Sequence, residues 1–369
     1  MKKMKKVYAI TFFTMASAIL SGAFPVFGTY SIECPANSDT YVGISTTREP
    51  VFTGKVQSVQ SGTTNIVAQG EPNWSADQFV YVAKTQTNHY YLKFTSGELE
   101  GAWYDIKSNG AYFAEIEIGS SELAKIQAGD KFQIIPHWTL GTLFPNGEGF
   151  TKAVTSTNAS TLWKYTSWEE GKGVTTPIGF NKAYLKSYYF RQSGTRVIGW
   201  RDANNVDSTN EVVEPGSFFK IVQPTNKSAK ITINGVIPFT STSMEVFMTK
   251  DENGNYPNQD IYYTIPSATD ITLNDLTETL ISSGVFATSK TAMPNDTISI
   301  YMNQTIGKNV AADYACYYLS RGSVNKWRTT DGADAGNIVL KAGSVIKLRK
   351  KSLSSDYAQR INFKPNYID

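Results

Sequence analysis

The chain is predicted to be all-β, built as two tandem sandwich- or barrel-like β units with a small β-barrel-like domain inserted in the first. Three observations predict this. Aromatic residues make up 13% of the 369 positions, with 21 Tyr and 19 Phe, and flat rings pack well on pleated surfaces. Short β-branched and aromatic runs alternate in polarity between Gly, Pro, Asn and Ser punctuators, as strands between turns do. A set of phrases also occurs twice in the same order, which signals duplication. The length allows two or three domains. A hydrophobic content of 41% with 18% charged residues suits a chain that buries a core and is too apolar for disorder.

The first element is a predicted signal peptide over residues 1–28. A basic start, Met1-Lys2-Lys3-Met4-Lys5-Lys6, precedes an apolar run from Val7 to Leu20. Small residues follow at Ser21-Gly22-Ala23 and Val26-Phe27-Gly28, so cleavage is expected within 23–28. Thr11, Thr14 and Ser17 interrupt the run, which favours a cleaved leader over a membrane anchor. Ser31-Ile32-Glu33 before Cys34 lacks the small apolar residues of a lipoprotein signal. No second apolar run is long enough to span a bilayer. Four of the 35 basic residues are the lysines of the leader; without them the 32 acidic residues are balanced to within one charge. A near-neutral chain offers no electrostatic reason to bind nucleic acid or anionic lipid.

The repeated phrases set the organisation. Ile178-Gly179-Phe180-Asn181 is followed by Tyr188-Tyr189-Phe190, Trp200-Arg201 and Pro215-Gly216-Ser217-Phe218-Phe219-Lys220-Ile221. Ile306-Gly307-Lys308-Asn309 is followed by Tyr317-Tyr318-Leu319, Trp327-Arg328 and Ala342-Gly343-Ser344-Val345-Ile346-Lys347-Leu348. Upstream, Asp39-Thr40-Tyr41-Val42-Gly43-Ile44 resembles Asp260-Ile261-Tyr262-Tyr263-Thr264-Ile265. The first copy carries a long excess before its Ile-Gly phrase, which reads as an insertion. The expected layout is a first unit over 29–53 plus 137–259, an inserted domain over 54–136, and a second unit over 260–369.

Within the insert, Phe79-Val80-Tyr81-Val82 and His89-Tyr90-Tyr91-Leu92-Lys93-Phe94 are predicted strands. Trp103-Tyr104-Asp105-Ile106 leads through an Asn109-Gly110 turn into Tyr112-Phe113-Ala114-Glu115-Ile116-Glu117-Ile118. Glu115 and Glu117 alternate with Ile116 and Ile118, as period two requires. Five or six such strands would close a small barrel. Helix is expected only as single turns near 121–126 and 273–282, and 201–213 and 250–259 read as loops.

Three segments resemble a known family: Trp74-Ser75-Ala76-Asp77-Gln78-Phe79-Val80-Tyr81, Phe94-Thr95-Ser96-Gly97, and the run from Ile134-Ile135-Pro136-His137-Trp138-Thr139 to Leu140-Gly141-Thr142-Leu143-Phe144-Pro145. With the paired Tyr-Tyr and Trp-Arg phrases, they resemble an uncharacterised family of exported proteins found mainly in Verrucomicrobia and related bacteria. The resemblance covers most of the chain beyond residue 39. It implies export into a Gram-negative envelope; it carries no activity and no catalytic residues.

The residues themselves supply few chemical candidates. Ser/His/acid catalysis needs a histidine beside a nucleophile, and neither His89 nor His137 has a nucleophile-elbow sequence near it. Glycoside hydrolysis needs two suitably spaced carboxylates; Glu98, Glu100, Asp105, Glu169 and Glu170 are candidates, but no pair stands out among 32 acids. Asp251, Asn253, Asn255 and Asp260 offer oxygens for calcium, although Tyr256 stands where the EF-hand loop needs Gly; Asp331, Asp334 and Asn337 form a second such group. Exposed aromatics stack on sugar rings, with Trp103, Tyr104 and Trp168 as the ligand-binding candidates and Trp163, Trp200 and Trp327 as further ones. Trp200 and Trp327 recur at equivalent repeat positions, which points first to packing. Cys34 and Cys316 leave two readings open: a disulfide, which export allows, or buried small apolar residues. No cofactor is implied. The expectation is an exported cell-envelope protein, periplasmic or surface-exposed, that acts as a non-catalytic structural or binding component, with glycan or self-association as partners. The alternative is a carbohydrate-binding protein or carbohydrate-active hydrolase.

Overall fold

The computed structural model describes residues 25–165, 185–224, 226–248, 254–256, 258–351, 355, 357–365 and 367. It is all-β, with two tandem β units and a closed barrel inserted in the first. Among the described residues no helix is long and apolar enough to cross a membrane. Residues 1–24 of the expected leader, the Ile-Gly phrase at 178–181, Trp168, Glu169, Glu170, Asp251 and Asn253 lie outside the described residues. The strand Phe27–Cys34 starts two residues inside the expected leader, because Phe27 and Gly28 already pair with Val236 and Gly235.

The two units share one strand order. In the first, the sheet runs Arg196–Asp202, Leu185–Ser193, Thr161–Tyr165, Phe218–Val222, Asp39–Gly43. In the second it runs Val324–Thr329, Tyr314–Arg321, Thr297–Tyr301, Val345–Lys350, Gln259–Thr264. Each sheet is covered by a two-stranded ribbon joining the unit's ends: Phe27–Cys34 with Ala229–Val236, and Thr242–Met248 with Tyr357–Phe363. Thr242–Met248 therefore belongs to the second unit, and the border lies before it rather than at residue 260. Local sequence hides this, because the strand's partner is more than a hundred residues away.

Register refines the repeat. Phe190 pairs with Trp200 and Tyr318 pairs with Trp327. The match to Tyr188-Tyr189-Phe190 is thus Cys316-Tyr317-Tyr318, one residue away from the match that the Tyr-Tyr pairs suggest. Strand side chains alternate between faces, so one residue of slip would turn the inward set outward. Trp200 and Trp327 do occupy equivalent places. They are 1% and 0% exposed, and each indole N–H has an acceptor: the Phe144 carbonyl at 3.2 Å and Thr277 Oγ1 at 3.0 Å. Each is the aromatic centre of its own apolar core, with its polar edge satisfied.

The same register equates Asp39, Tyr41 and Gly43 with Asp260, Tyr262 and Thr264. Lys220 sits 3.7 Å from Asp39, and its counterpart Lys347 sits 3.3 Å from Asp260. The units join about these strands. The Gly43 N–H donates to the Gly343 carbonyl, and the Thr264 N–H donates to the Gly216 carbonyl, both at 3.1 Å. These two bonds exchange places when the units are exchanged, so the junction has pseudo-two-fold symmetry. Its filling is aromatic: Tyr41 packs on Tyr301 at 4.3 Å and Phe218 stacks on Tyr262 at 5.3 Å. A Cβ on Gly43 would meet the Thr264 side chain at 2.5 Å and the Gly343 oxygen at 2.7 Å, so glycine on this side makes room for the threonine that faces it from the other.

The barrel closes through Phe52–Val59, Asn65–Ala68, Phe113–Ile116, Trp103–Asn109, Tyr90–Phe94 and Lys131–Pro136. Its interior is packed with side chains from Val56 to Ile134, leaving the outer face to carry chemistry. Phe79 to Val82 is not a strand: it runs from a turn at Phe79 through a bend at Val80 to a lone bridge between Val82 and Gln86. Buried Asn109 holds that run in place: its Oδ1 accepts from the Phe79 N–H and its Nδ2 donates to the Ser75 carbonyl, both at 2.8 Å.

Candidate functional site

The barrel's outer face starts from the alternation of Trp103–Asn109. Tyr104 and Ile106 turn into the barrel core, at 6% and 8% exposed, so Trp103 and Asp105 point out. Asp105 meets His137, which follows the last barrel strand. His137 is 2% exposed, and its Nε2–H donates to Asp105 Oδ1 at 2.7 Å. The rings of Tyr91 and Trp103 pack on the imidazole at 4.5 and 5.7 Å. His137 Nδ1 is buried with no hydrogen-bond partner among the described residues. Nearby, Tyr81 stacks on His89 with centroids 4.2 Å apart and planes 8° apart.

This face forms one wall of a cleft of about 890 Å³ at the meeting point of all three bodies. The barrel supplies Tyr81, His89, Trp103, Asp105, Glu122 and His137. The first unit supplies Lys164, Lys186 and the segment from Asn210 to Phe218. The second unit supplies Thr242, Ser243, Glu245, Tyr262, Tyr263 and Arg360. Pockets at domain junctions, lined by aromatic side chains with a few fixed polar groups, are where ligands bind most often.

Two cationic nodes brace the walls, Arg360 between two bodies and Lys164 within the first unit. Arg360 donates to Glu122 at 2.7 Å, to Tyr104 Oη at 2.8 Å and to Glu245 at 2.8 Å, joining the second unit to the barrel. Burial, the largest influence, pushes the Tyr104 hydroxyl well above the usual phenol range. Lys164 donates to the Val212 carbonyl at 2.5 Å and to Glu214 at 2.9 Å, with Glu211 at 3.5 Å. Lys186 lies 3.7 Å from Glu211. A third lysine stands just behind the cleft. Lys93 is 4% exposed and donates to Thr242 Oγ1 at 3.4 Å; burial lowers its ammonium pKa to about 8, against a smaller upward pull from Glu100.

The sequence candidates separate as follows. Trp103 and Tyr104 both line the cleft, Trp103 as a partly exposed ring and Tyr104 as a buried wall. Trp163 lies elsewhere, with Lys220 5.2 Å above its ring, and Trp200 and Trp327 are core. Of the calcium group, Asp251 and Asn253 lie outside the described residues. The register places Asp260 opposite Arg349, which donates to both its oxygens at 2.7 and 2.8 Å. Asp331 accepts from Thr329 and Asp334 binds Lys326 at 2.9 Å, so both serve turns. Among the described residues no three His, Cys, Asp or Glu side chains gather as a metal would need. Of the hydrolase candidates among the described residues, only Asp105 reaches the cleft; Glu98 pairs with Lys125 at 3.6 Å and Glu100 accepts from Ser241 at 2.7 Å. Cys34 and Cys316 are free, each buried in the core of a different unit, which decides between the two readings in favour of packing. His137, Glu122, Lys164 and Arg360 were not singled out as partners by sequence, since each acts through a residue distant in the chain.

No protein-family model, no curated protein and no solved structure matches this chain. The geometry of the cleft therefore carries the functional argument alone.

Proposed function

We propose that this is an exported cell-envelope protein, of the family its phrases resemble, that works by binding a ligand in the three-body cleft and not by catalysis. One observation carries the reading: a cavity of about 890 Å³ whose walls come from the barrel and from both β units. A ligand seated there would touch all three bodies at once. Its charges and rings are already held in place by hydrogen bonds, and such preorganisation lowers the ordering cost of binding.

The arrangement argues against acid–base hydrolysis. A triad histidine must present one nitrogen to a nucleophile. His137 gives Nε2 to Asp105 and keeps Nδ1 buried. A glycosidase needs two carboxylates in distinct protonation roles. Glu117, Glu122, Glu211, Glu214 and Glu245 each pair with a lysine or arginine, which leaves Asp105 as the one cleft carboxylate among the described residues whose partner is a histidine.

The test is calorimetric titration of purified protein with neutral, acidic and amino-sugar oligosaccharides, with chromatography of the same mixtures. The expected result is binding by at least one class, weakened by Trp103→Ala, with no product formed. Turnover of any sugar, or binding indifferent to Trp103→Ala, would overturn it.

A further inference from the structure

We infer that the cleft selects an uncharged oligosaccharide, with Trp103 as its stacking platform and Asp105 as its hydroxyl anchor. This rests on the binding reading above and adds the ligand's chemical class.

Charge decides the first part. Six carboxylates line the cleft (Asp105, Glu117, Glu122, Glu211, Glu214 and Glu245) against three cations (Lys164, Lys186 and Arg360), an excess of three negative charges. Each of those cations already lies within 4.0 Å of at least one of these carboxylates. An anionic sugar entering here would meet net repulsion, and would have to break an existing pair to gain one. Acidic glycans are therefore excluded on the same grounds that exclude like-charge contacts at interfaces.

Hydrogen-bonding capacity decides the second part. Carboxylates only accept, so a site rich in them needs a ligand rich in donors. Sugar hydroxyls are such donors, and they carry no charge. Asp105 is the carboxylate built for this. Its side chain is 50% exposed, one oxygen is held by His137, and Oδ2 has no hydrogen-bond partner among the described residues. A hydroxyl donating to an ionised carboxylate forms one of the stronger hydrogen bonds available.

Trp103 supplies the apolar half. It lies two residues from Asp105 on the same strand face, roughly 7 Å along the strand. Tyr91 and His137 brace its ring edge-on, both at 5.7 Å, so the platform is rigid. The negative face of an indole attracts the weakly positive C–H groups of a sugar ring. A ring resting on Trp103 directs a hydroxyl towards Asp105. A free ammonium ligand would have to displace Arg360, Lys164 or Lys186 to reach Glu122, Glu211, Glu214 or Glu245, and at Asp105 and Glu117, 50% and 55% exposed, water screens attraction and repulsion alike.

The deciding experiment compares oligosaccharides of equal length that differ only in charge: neutral, uronic and amino sugars. Affinities are measured by calorimetry at about 0.05 M and about 0.5 M salt, since screening separates charged from uncharged ligands. The neutral sugar is expected to bind, with less than about a twofold change across that range. Asp105→Asn is expected to weaken it about tenfold, and Trp103→Phe to retain more affinity than Trp103→Ala. Circular dichroism establishes that each variant is folded. Preference for the uronic or the amino sugar, or steep salt dependence, would overturn the uncharged class while leaving the binding function standing. Neutral-sugar binding unmoved by Asp105→Asn would overturn the anchor.

Discussion

Lys164 offers a quantitative test of the duplicated architecture. Lys164 lies opposite Phe219, and in the second unit Ile300 lies opposite Ile346, so a lysine and an isoleucine hold equivalent core positions. Lys164 is only 2% exposed. Its ammonium is held by the Val212 carbonyl, Glu214 and Glu211. Lys164→Met keeps the apolar stem and deletes the charge. Two glutamates, 23% and 26% exposed, then lose a cation, and a carbonyl loses its donor. Removing one partner of a buried ion pair costs about 3–5 kcal/mol. Because the glutamates keep some water, the lower end applies, about 3 kcal/mol. For a unit of this size that lowers the melting temperature by roughly 10 °C. The triple variant Lys164→Met/Glu211→Gln/Glu214→Gln removes the stranded charges with the lysine and is expected to recover most of the loss. Differential scanning calorimetry on the three proteins reads both steps. A single variant that melts within about 2 °C of the parent, or a triple no more stable than the single, would refute the reasoning.

Three further outcomes are expected. Trp200→Ala and Trp327→Ala each delete a fully buried indole and are expected to cost about 4 kcal/mol; limited proteolysis should cut chiefly within the unit that carries the change, and equal cutting in both would contradict separate cores. Burial holds the Lys93 ammonium at about 8 in the folded protein against 10.5 for a free lysine, so between those values the unfolded chain holds more protons and stability rises with pH, by up to about 3 kcal/mol. That gain is complete above the unfolded value and is lost as pH falls through about 8; Lys93→Met should flatten the curve in urea unfolding at pH 7 and pH 10, and an unchanged slope would contradict the assignment. Burial pushes the thiols of Cys34 and Cys316 up to about 12, so Ellman's reagent should find no reactive thiol in native protein and both after unfolding in urea; a fast-reacting native thiol would show that one core is open.

Much of the fold was legible in the residues. Alternation of aromatic and β-branched residues between turn formers marks strands, because side chains on a strand take opposite faces in turn. Doubled phrases such as Trp200-Arg201 and Trp327-Arg328 mark the two units, because each copy must rebuild the same core around the same ring. Less legible was what depends on pairing. The Tyr-Tyr pairs invited a register one residue out, and only the cross-strand partners Phe190–Trp200 and Tyr318–Trp327 settle it. The ribbon strand Thr242–Met248 went to the wrong unit for the same reason. Phe79 to Val82 has strand composition but is not a strand, since Asn109 captures its backbone.

The sequence by itself determined the class of structure, the duplication, and the barrel between the halves, because local period and repeated order are properties of one dimension. It also offered Trp103 as a ligand platform. Tertiary structure alone decided the site. Asp105 meets His137 within the folded barrel and Lys164 meets Glu211 and Glu214 within the first unit, Glu122 meets Arg360 only where the barrel and the second unit join, and one cleft gathers all of them. Ion pairs and hydrogen bonds act across a few ångströms of space, and no pattern along the chain records which distant segments that space will join.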